Sequence, residues 1–487
     1  MPGILGMSPP SPGRRRFLGT GAALAPALVL AGAGLGHAAG TRPRPARPAR
    51  ATGAAGGFIP VLPPPTGPHP IGQVHVHLRD RHRADPWRPS HRRELMATLT
   101  YPARSTTGRE RPRWLPAGQV SDMERGAQQV LGIAPGAVDW AGIRTGAHEG
   151  APVAAPPGGL PVVVFMPGGQ LRRTEGTLYA EELASQGYLV VQTDHPYETM
   201  TVEFPGGRVV SAVIPDFLDY SDADLERMIT TRVDDVAFVL RALGEFHRGR
   251  DKDSSGRGMP RGLTGALDLT RVGSFGHSAG GFATGEALHR HRRISAGVNL
   301  DGLLYHVARK PLPGGPGGPG GPGGPGGPGE PGGPGGQPAP EPRWVFGDVG
   351  IEGLRENQAF LLMGAEFTEP PGPGGTPSPH NHVNDAFDAS WKSFWGATRG
   401  WKRDLTLRGA NHLTFTTSAP VHWQLVDGAG ADPGRVAELF GRTPPDRGTL
   451  AQRACLTAFF DRQLRGIGDG GLLDSPSERF PEIVLVP

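Results

Sequence analysis

Cysteine is almost absent from this 487-residue chain, with Cys455 as its single example. That excludes an internal disulfide, a C-x-x-C redox pair and any zinc site built on several cysteines. Around Leu450-Ala-Gln-Arg-Ala-Cys-Leu-Thr-Ala-Phe-Phe460 apolar residues recur at helical spacing, so Cys455 is expected in a core and not as a nucleophile. Basic runs are missing beyond the first fifty residues. The formal net charge is +4, but residues 1–50 hold seven arginines and no acid, and +4 less those seven leaves −3. A remainder of that kind lacks the basic footprint that a phosphate backbone requires, which excludes nucleic acid as a partner. Long hydrophobic runs are missing too: none reaches the roughly 20 apolar residues of a membrane span, so no stable span is expected in the mature form. Hydrophobic residues make up only 37%, because Gly (77) and Pro (53) together fill about a quarter of the chain.

Those two residue types are concentrated in separate stretches. Arg14-Arg15-Arg16-Phe17-Leu18 precedes an apolar run from Ala22 to Leu35 and the small residues around Gly36-His37-Ala38, the three parts of a cleavable export signal over residues 1–38. The arginines suggest the twin-arginine route and a secreted or extracytoplasmic destination. Residues 39–70 are Pro, Ala, Gly and Arg with few apolar side chains and read as a disordered linker. Pro313 to Gly336 is a Pro-Gly-Gly repeat. Gly fills two positions in three there, so a flexible surface insertion over 311–342 is expected in place of a triple helix. Gly372 to Pro379 is a smaller patch of the same kind.

Elsewhere strand-like and helix-like segments alternate through a single catalytic domain spanning 71–487. Gln73–Leu78 and Glu94–Tyr101 suggest an antiparallel start. Pro161-Val-Val-Val-Phe-Met166 is a continuous apolar run, as in a strand covered on both faces. A helix near Leu178 to Gln186, a strand Tyr188–Val191, a crossover helix over Arg232–Leu243 and a strand Arg271–Phe275 follow. Further strands are expected at Ile294–Leu300, Ala359–Met363 and Asp404–Leu407, and a last helix at Leu450–Leu464. Such alternation implies an α/β fold with a mainly parallel central sheet and helices on both faces. Ligands in that architecture bind at the carboxyl ends of the strands.

Gly276-His-Ser-Ala-Gly280 fits G-x-S-x-G, a pattern that so glycine-rich a chain can produce by chance. Its setting is more telling. It directly follows an apolar strand and precedes the helix-compatible Gly281-Phe-Ala-Thr-Gly-Glu-Ala-Leu288, the strand-turn-helix context of a nucleophile elbow with Ser278 at its tip. The strained serine and its close neighbours give the glycines a steric reason. A serine hydroxyl needs a histidine to take its proton, and chain order in such a fold puts that histidine after the last parallel strand. His412, in Gly409-Ala-Asn-His-Leu-Thr-Phe415, is so placed. His380 and His382 compete, but beside the Pro/Gly patch they are expected to face solvent. His195, in Asp194-His-Pro196, ends an earlier strand and reads as a pocket-wall or structural residue. The histidine needs a carboxylate to fix its tautomer, and position leaves two candidates, Asp301 after Ala296–Leu300 and Glu366 after Phe360–Ala365. An oxyanion would be met by the N–H groups of Ala279 and Gly169, with Gln170 as the alternative to Gly169.

Three stretches carry a family likeness: Val164-Phe-Met-Pro-Gly-Gly169 with Leu178 to Val190, the elbow from Gly273 to Gly281, and Val298-Asn-Leu-Asp-Gly302. Over roughly residues 90–465 the chain resembles the platelet-activating-factor acetylhydrolases and related bacterial lipases of the α/β-hydrolase superfamily. The resemblance implies that the aspartate of Leu-Asp-Gly, here Asp301, is the triad acid in preference to Glu366. It also implies hydrolysis of carboxylic esters, with short acyl groups on phospholipids within its range, and neither metal nor cofactor. The chain departs from the pattern at Pro167-Gly168, where the family often has His-Gly, and in the Pro-Gly-Gly insertion. A serine peptidase or amidase would use the same three residues, and a binding protein could keep the fold without catalysis.

Overall fold

The computed structural model describes residues 56–214, 221–308, 345–350, 353–369, 376–384 and 388–487. The expected export signal 1–38, the linker up to residue 55 and the insertion 311–342 lie outside the described residues.

Leu160-Pro-Val-Val-Val-Phe-Met166 sits at the middle of the structure, and every one of its residues is buried. Its side chains alternate between two cores. Val162, Val164 and Met166 meet one apolar cluster and Val163 and Phe165 the other, as the period of two of a strand covered on both faces requires. Among the described residues eleven strands share its sheet: β1 (Ile71–Ala84), β2 (Arg92–Pro102), β3 (His148–Glu149), β4 (Leu160–Met166), β5 (Leu189–Thr193), β6 (Leu267–His277), β7 (Ile294–Leu300), β8 (Ala359–Glu369), β9 (Thr376–Pro379), β10 (Lys402–Leu407) and β11 (Ile483–Leu485). Their order is β11-β10-β8-β7-β6-β4-β5-β2-β1-β3, with β9 paired to β8. The six strands from β5 to β10 in that order are parallel. β1 and β2 form the antiparallel start, and β11 closes the other edge antiparallel to β10.

The helices are α1 (Ala117–Leu131), α2 (Thr177–Ser185), α3 (Asp222–His247), α4 (Ala279–Arg290), α5 (Ala389–Ala397), α6 (Ser418–Ala429), α7 (Pro433–Phe440) and α8 (Pro445–Phe460). α3, α4 and α5 cover one face of the sheet through Val233, Phe282 and Trp391. α2 and α8 cover the other through Leu183, Cys455 and Phe459, so Cys455 is a core residue, and burial pushes its thiol up to about 12. α1, α6 and α7 enclose a third core with Trp114 and Trp140. None of the described helices is long and apolar enough to cross a membrane.

Three differences from the sequence reading have clear causes. α3 starts ten residues before the expected Arg232, because a capping box of Ser221 and Asp224 opens it and Met228 and Ile229 extend its apolar face. Residues 57–70, placed by composition in the linker, are held on the domain: Phe58 bridges to Val138, Thr66 donates to Glu182, and Arg453 donates to the carbonyls of Pro63 and Pro64. Thr376–Pro379, in the expected low-complexity patch, pairs as β9 with β8.

Candidate active site

β6 runs into α4 through Ser278, whose backbone is held at φ 55, ψ −122, a conformation that costs a residue with a side chain about 1–3 kcal/mol. The surrounding glycines explain how that turn is tolerated. A Cβ on Gly280 would lie 2.0 Å from the Met166 carbonyl oxygen, and one on Gly276 would lie 2.2 Å from the Gly280 backbone. Only glycine lets β4, β6 and α4 meet this closely. The Ser278 N–H donates to Leu300 O at 2.9 Å, tying the elbow to the end of β7, where Asp301 follows. Ala279 is the first residue of α4, so its N–H lies in the turn without helical acceptors, at the positive end of the helix dipole.

The Gly168-Gly169 loop after β4 stands over the elbow. A Cβ on Gly168 would lie 3.3 Å from Ser278 Cβ, and one on Gly169 would lie 3.9 Å from Ala279 Cβ. Gln170 takes φ 61 to complete the bend. The loop's carbonyls are occupied from behind. Arg232 of α3, fully buried, donates Nη1 to Pro167 O and Nη2 to Gly168 O at 3.0 Å, and pairs with Glu198. Met200 N donates to Gln170 O at 2.9 Å and Thr199 Oγ1 to Leu171 O at 3.2 Å. Arg232, Thr199 and Met200 thereby hold the loop's carbonyls in place.

His412 follows β10, and its Nδ1–H donates to Asp301 Oδ2 at 2.6 Å. That bond leaves Nε2 as the nitrogen able to accept a proton. Glu366, the other carboxylate left open by position, instead accepts from Gly409 N at 2.9 Å through Oε2. Asp301 is itself at φ 57, and its Oδ1 accepts from Ala365 N at 2.9 Å and from His380 Nδ1 at 2.8 Å. Burial would raise the Asp301 carboxyl, but His380 and His412 outweigh it and hold the group well below the ordinary carboxylate range.

His380 was expected to face solvent, and the structure corrects that: it is 1% exposed. The pairing of β9 with β8 is the cause, since His380 N donates to Ala365 O at 2.8 Å and the ring is carried inward to Asp301. His382 is buried as well, its Nδ1 on Asp404 Oδ2 at 2.7 Å and its ring stacked 4.0 Å from Trp395. His195 is structural, with Nδ1 2.9 Å from Asp235 Oδ2 and no exposure. Burial and the Arg232 charge lower its imidazole. His277, inside the G-x-S-x-G motif, donates Nε2–H to the His412 carbonyl at 2.9 Å, with the two rings 4.5 Å apart. Burial first, and then the charge of His412, lower its imidazole to about 3, so it is neutral near pH 7 and acts as a brace. Arg232 and His277 escaped the sequence reading as site residues, and His380 entered it only as a competing base; a histidine inside the motif itself was the one local signal available.

A serine elbow after a central parallel strand, an aspartate after the next strand and a histidine after a later one define the α/β-hydrolase class. Within it, the chain belongs to the platelet-activating factor acetylhydrolase isoform II family, whose model matches residues 60–313, just over half of the chain. It is 26% identical over 337 residues to a probable 1-alkyl-2-acetylglycerophosphocholine esterase of Arthroderma benhamiae, a match covering 67% of this chain and 66% of that protein. The chain thus spans slightly less than two thirds of that relative. It is also similar to the solved structure of a ferulic acid esterase from Streptomyces cinnamoneus, with a TM-score of 0.61 and 29% identity over 88% of this chain and 99% of that one.

Proposed function

We propose that the chain is a carboxylic ester hydrolase that works through an acyl-enzyme on Ser278. The observation that carries this reading is the 2.6 Å bond from His412 to a buried, ionised Asp301 whose neighbour Leu300 is bonded to the strained serine backbone. Ser278 Oγ attacks the ester carbonyl while His412 Nε2 takes its proton, and Asp301 stabilises the imidazolium. The N–H groups of Gly169 and Ala279 meet the oxyanion. His412 returns the proton to the leaving alcohol, and water, activated by the same histidine, releases the acid through a second oxyanion. Both named relatives are esterases; the name of the first supports acetyl groups on glycerophosphocholine as a substrate class, while that of the second, an esterase of ferulic acid, supports ester hydrolysis alone.

A panel of p-nitrophenyl esters against peptide anilides tests the bond class: esters turn over faster, and preference for anilides would replace this reading with a peptidase. Fluorophosphonate labelling is expected in the wild type and lost in Ser278→Ala. A folded wild type that resists labelling would favour a binding protein. We further propose that residues 1–38 direct twin-arginine export and that the catalytic domain expected at 71–487 also takes in residues 57–70, with 311–342 as an insertion. Arg14-Arg15-Arg16 ahead of a Gly/Ala-rich apolar run supports the first part. The mature protein then starts close to residue 39, and Arg15→Lys with Arg16→Lys retains it inside the cell; export of that variant at the wild-type level would refute the route.

A further inference from the structure

We propose that His380 is a positioning residue of this site: held between two carboxylates as an imidazolium, it fixes the orientation and the negative charge of Asp301 through the oxygen that His412 does not use. The inference rests on the reading of Ser278, His412 and Asp301 just given.

The hydrogen bonds leave little choice of protonation. His380 Nδ1 lies 2.8 Å from Asp301 Oδ1, and its Nε2 lies 3.1 Å from Asp388 Oδ2. Asp388 caps α5 and also accepts from Ser390 N at 2.8 Å and Ser390 Oγ at 2.7 Å, so its oxygens act as acceptors. Asp301 likewise accepts from His412 Nδ1 and Ala365 N. Multiple donors favour the ionised form of a carboxyl, and an ionised carboxyl can only accept. A ring with such an oxygen at each nitrogen therefore carries both protons.

Charge balance leads the same way. His380, Asp301 and Asp388 are each 3% exposed or less. Two unneutralised carboxylates in such a place would be costly. With His380 positive, the group carries one net negative charge at rest and becomes neutral when His412 takes the serine proton. The rest of the surroundings agree. His412 faces Asp301 from the loop after β10, neutral His277 stands against His412 from the end of β6, and Asp404 of β10 is bonded to His382. Burial alone would lower the His380 imidazole, yet Asp301 and Asp388 together raise it to about 9.

The ring is also fixed in place. It lies 4.0 Å from Trp391, whose indole N–H donates to the carbonyl of Gly302, next to Asp301, at 2.6 Å. Its backbone, just past β9, is pressed onto β8 where Gly364 has no side chain; a Cβ there would lie 1.8 Å from His380 O. Asp301 is therefore gripped on both oxygens, one by the base and one by a cation that takes no part in proton transfer.

The test uses the full chain with two readouts. In histidine-15N-labelled wild type at pH 7.5, both His380 nitrogens are expected to be protonated. His380→Gln keeps a neutral donor but loses the charge. It should lower kcat on p-nitrophenyl acetate by about ten- to a hundredfold, the size of a lost charge-assisted hydrogen bond, with a smaller change in KM. Removing a cation from beside the pair raises the affinity of His412 for its proton, so the acidic limb of kcat/KM moves up by about one pH unit. Asp388→Asn, which leaves the ring and its charge on Asp301 but removes an anion from the group, should move the limb the opposite way by less, and it carries the test if the His380 variant does not fold. A singly protonated His380, or a fall in kcat with the limb unmoved in either folded variant, overturns the inference. Failure of the underlying reading looks different: an inactive wild type, or full activity in Ser278→Ala.

Discussion

Replacing Arg232 with lysine isolates what holds the loop over the elbow. The guanidinium spreads its donors over Pro167 O, Gly168 O and both carboxylate oxygens of Glu198, a fork that a single ammonium cannot span. Lysine keeps the charge beside buried Glu198, so an unpaired carboxylate is not left behind. Losing two bonds from a charged donor to backbone carbonyls should cost about 2–4 kcal/mol of folding stability, read as a lower urea midpoint with unchanged slope. The kinetic effect is separate. Complete loss of one oxyanion donor is worth about a hundred- to a thousandfold in kcat, and a loosened loop should show part of it, roughly ten- to a hundredfold, with KM little changed. Stopped assays on p-nitrophenyl acetate give both constants. A variant that loses the stability but keeps kcat would refute the idea that Arg232 sets the loop for catalysis, and so would one that raises KM alone.

Gly280→Ala puts a methyl group 2.0 Å from Met166 O and should cost about 3 kcal/mol or more, seen as lost soluble yield or a lowered melting temperature; normal melting would contradict the packing at the elbow. Glu181 is buried, accepts from Gly146 N at 2.6 Å, and is raised by burial to about 7. Its stabilising contribution is complete below the ordinary carboxyl range near 4.5 and fades as pH rises through 7, so Glu181→Gln should be more stable than wild type by about 1–3 kcal/mol at pH 8 and similar to it at pH 4.5. Equal stability at both pH values would count against a neutral buried acid. Cys455 should resist iodoacetamide in the native protein and react in urea, while rapid native labelling would contradict its burial in the α8 core.

The parts of the site that could be read in the sequence are those whose cause is local. The strand Ile294–Leu300 is found with the expected bounds, because seven consecutive residues record both its burial and the turn into Asp301. The elbow is local in part: Gly276 excludes a Cβ from Gly280 within the motif, whereas Gly280 answers to Met166 on β4. His412, singled out from its place after β10, is the histidine bonded to Asp301 Oδ2. What escaped depends on pairing between distant segments. His380 stands beside a Pro/Gly patch, and only the addition of β9 to the edge of β8 turns it toward a carboxylate 79 positions earlier. Arg232 looked like one more residue of a crossover helix, and its bond to Pro167 spans 65 positions. Residues 57–70 misled through composition. Their prolines supply carbonyls to Arg453, and nothing in a Pro-rich stretch announces where its acceptors will be used.

The covalent intermediate is the most direct object to measure. Protein quenched in acid during turnover of p-nitrophenyl acetate, digested and analysed by mass spectrometry, should carry one acetyl group on the peptide containing Ser278, and none in Ser278→Ala, which should also lose the nitrophenol burst. Turnover with no acetylated Ser278, or a burst that survives the substitution, would contradict the account at its centre.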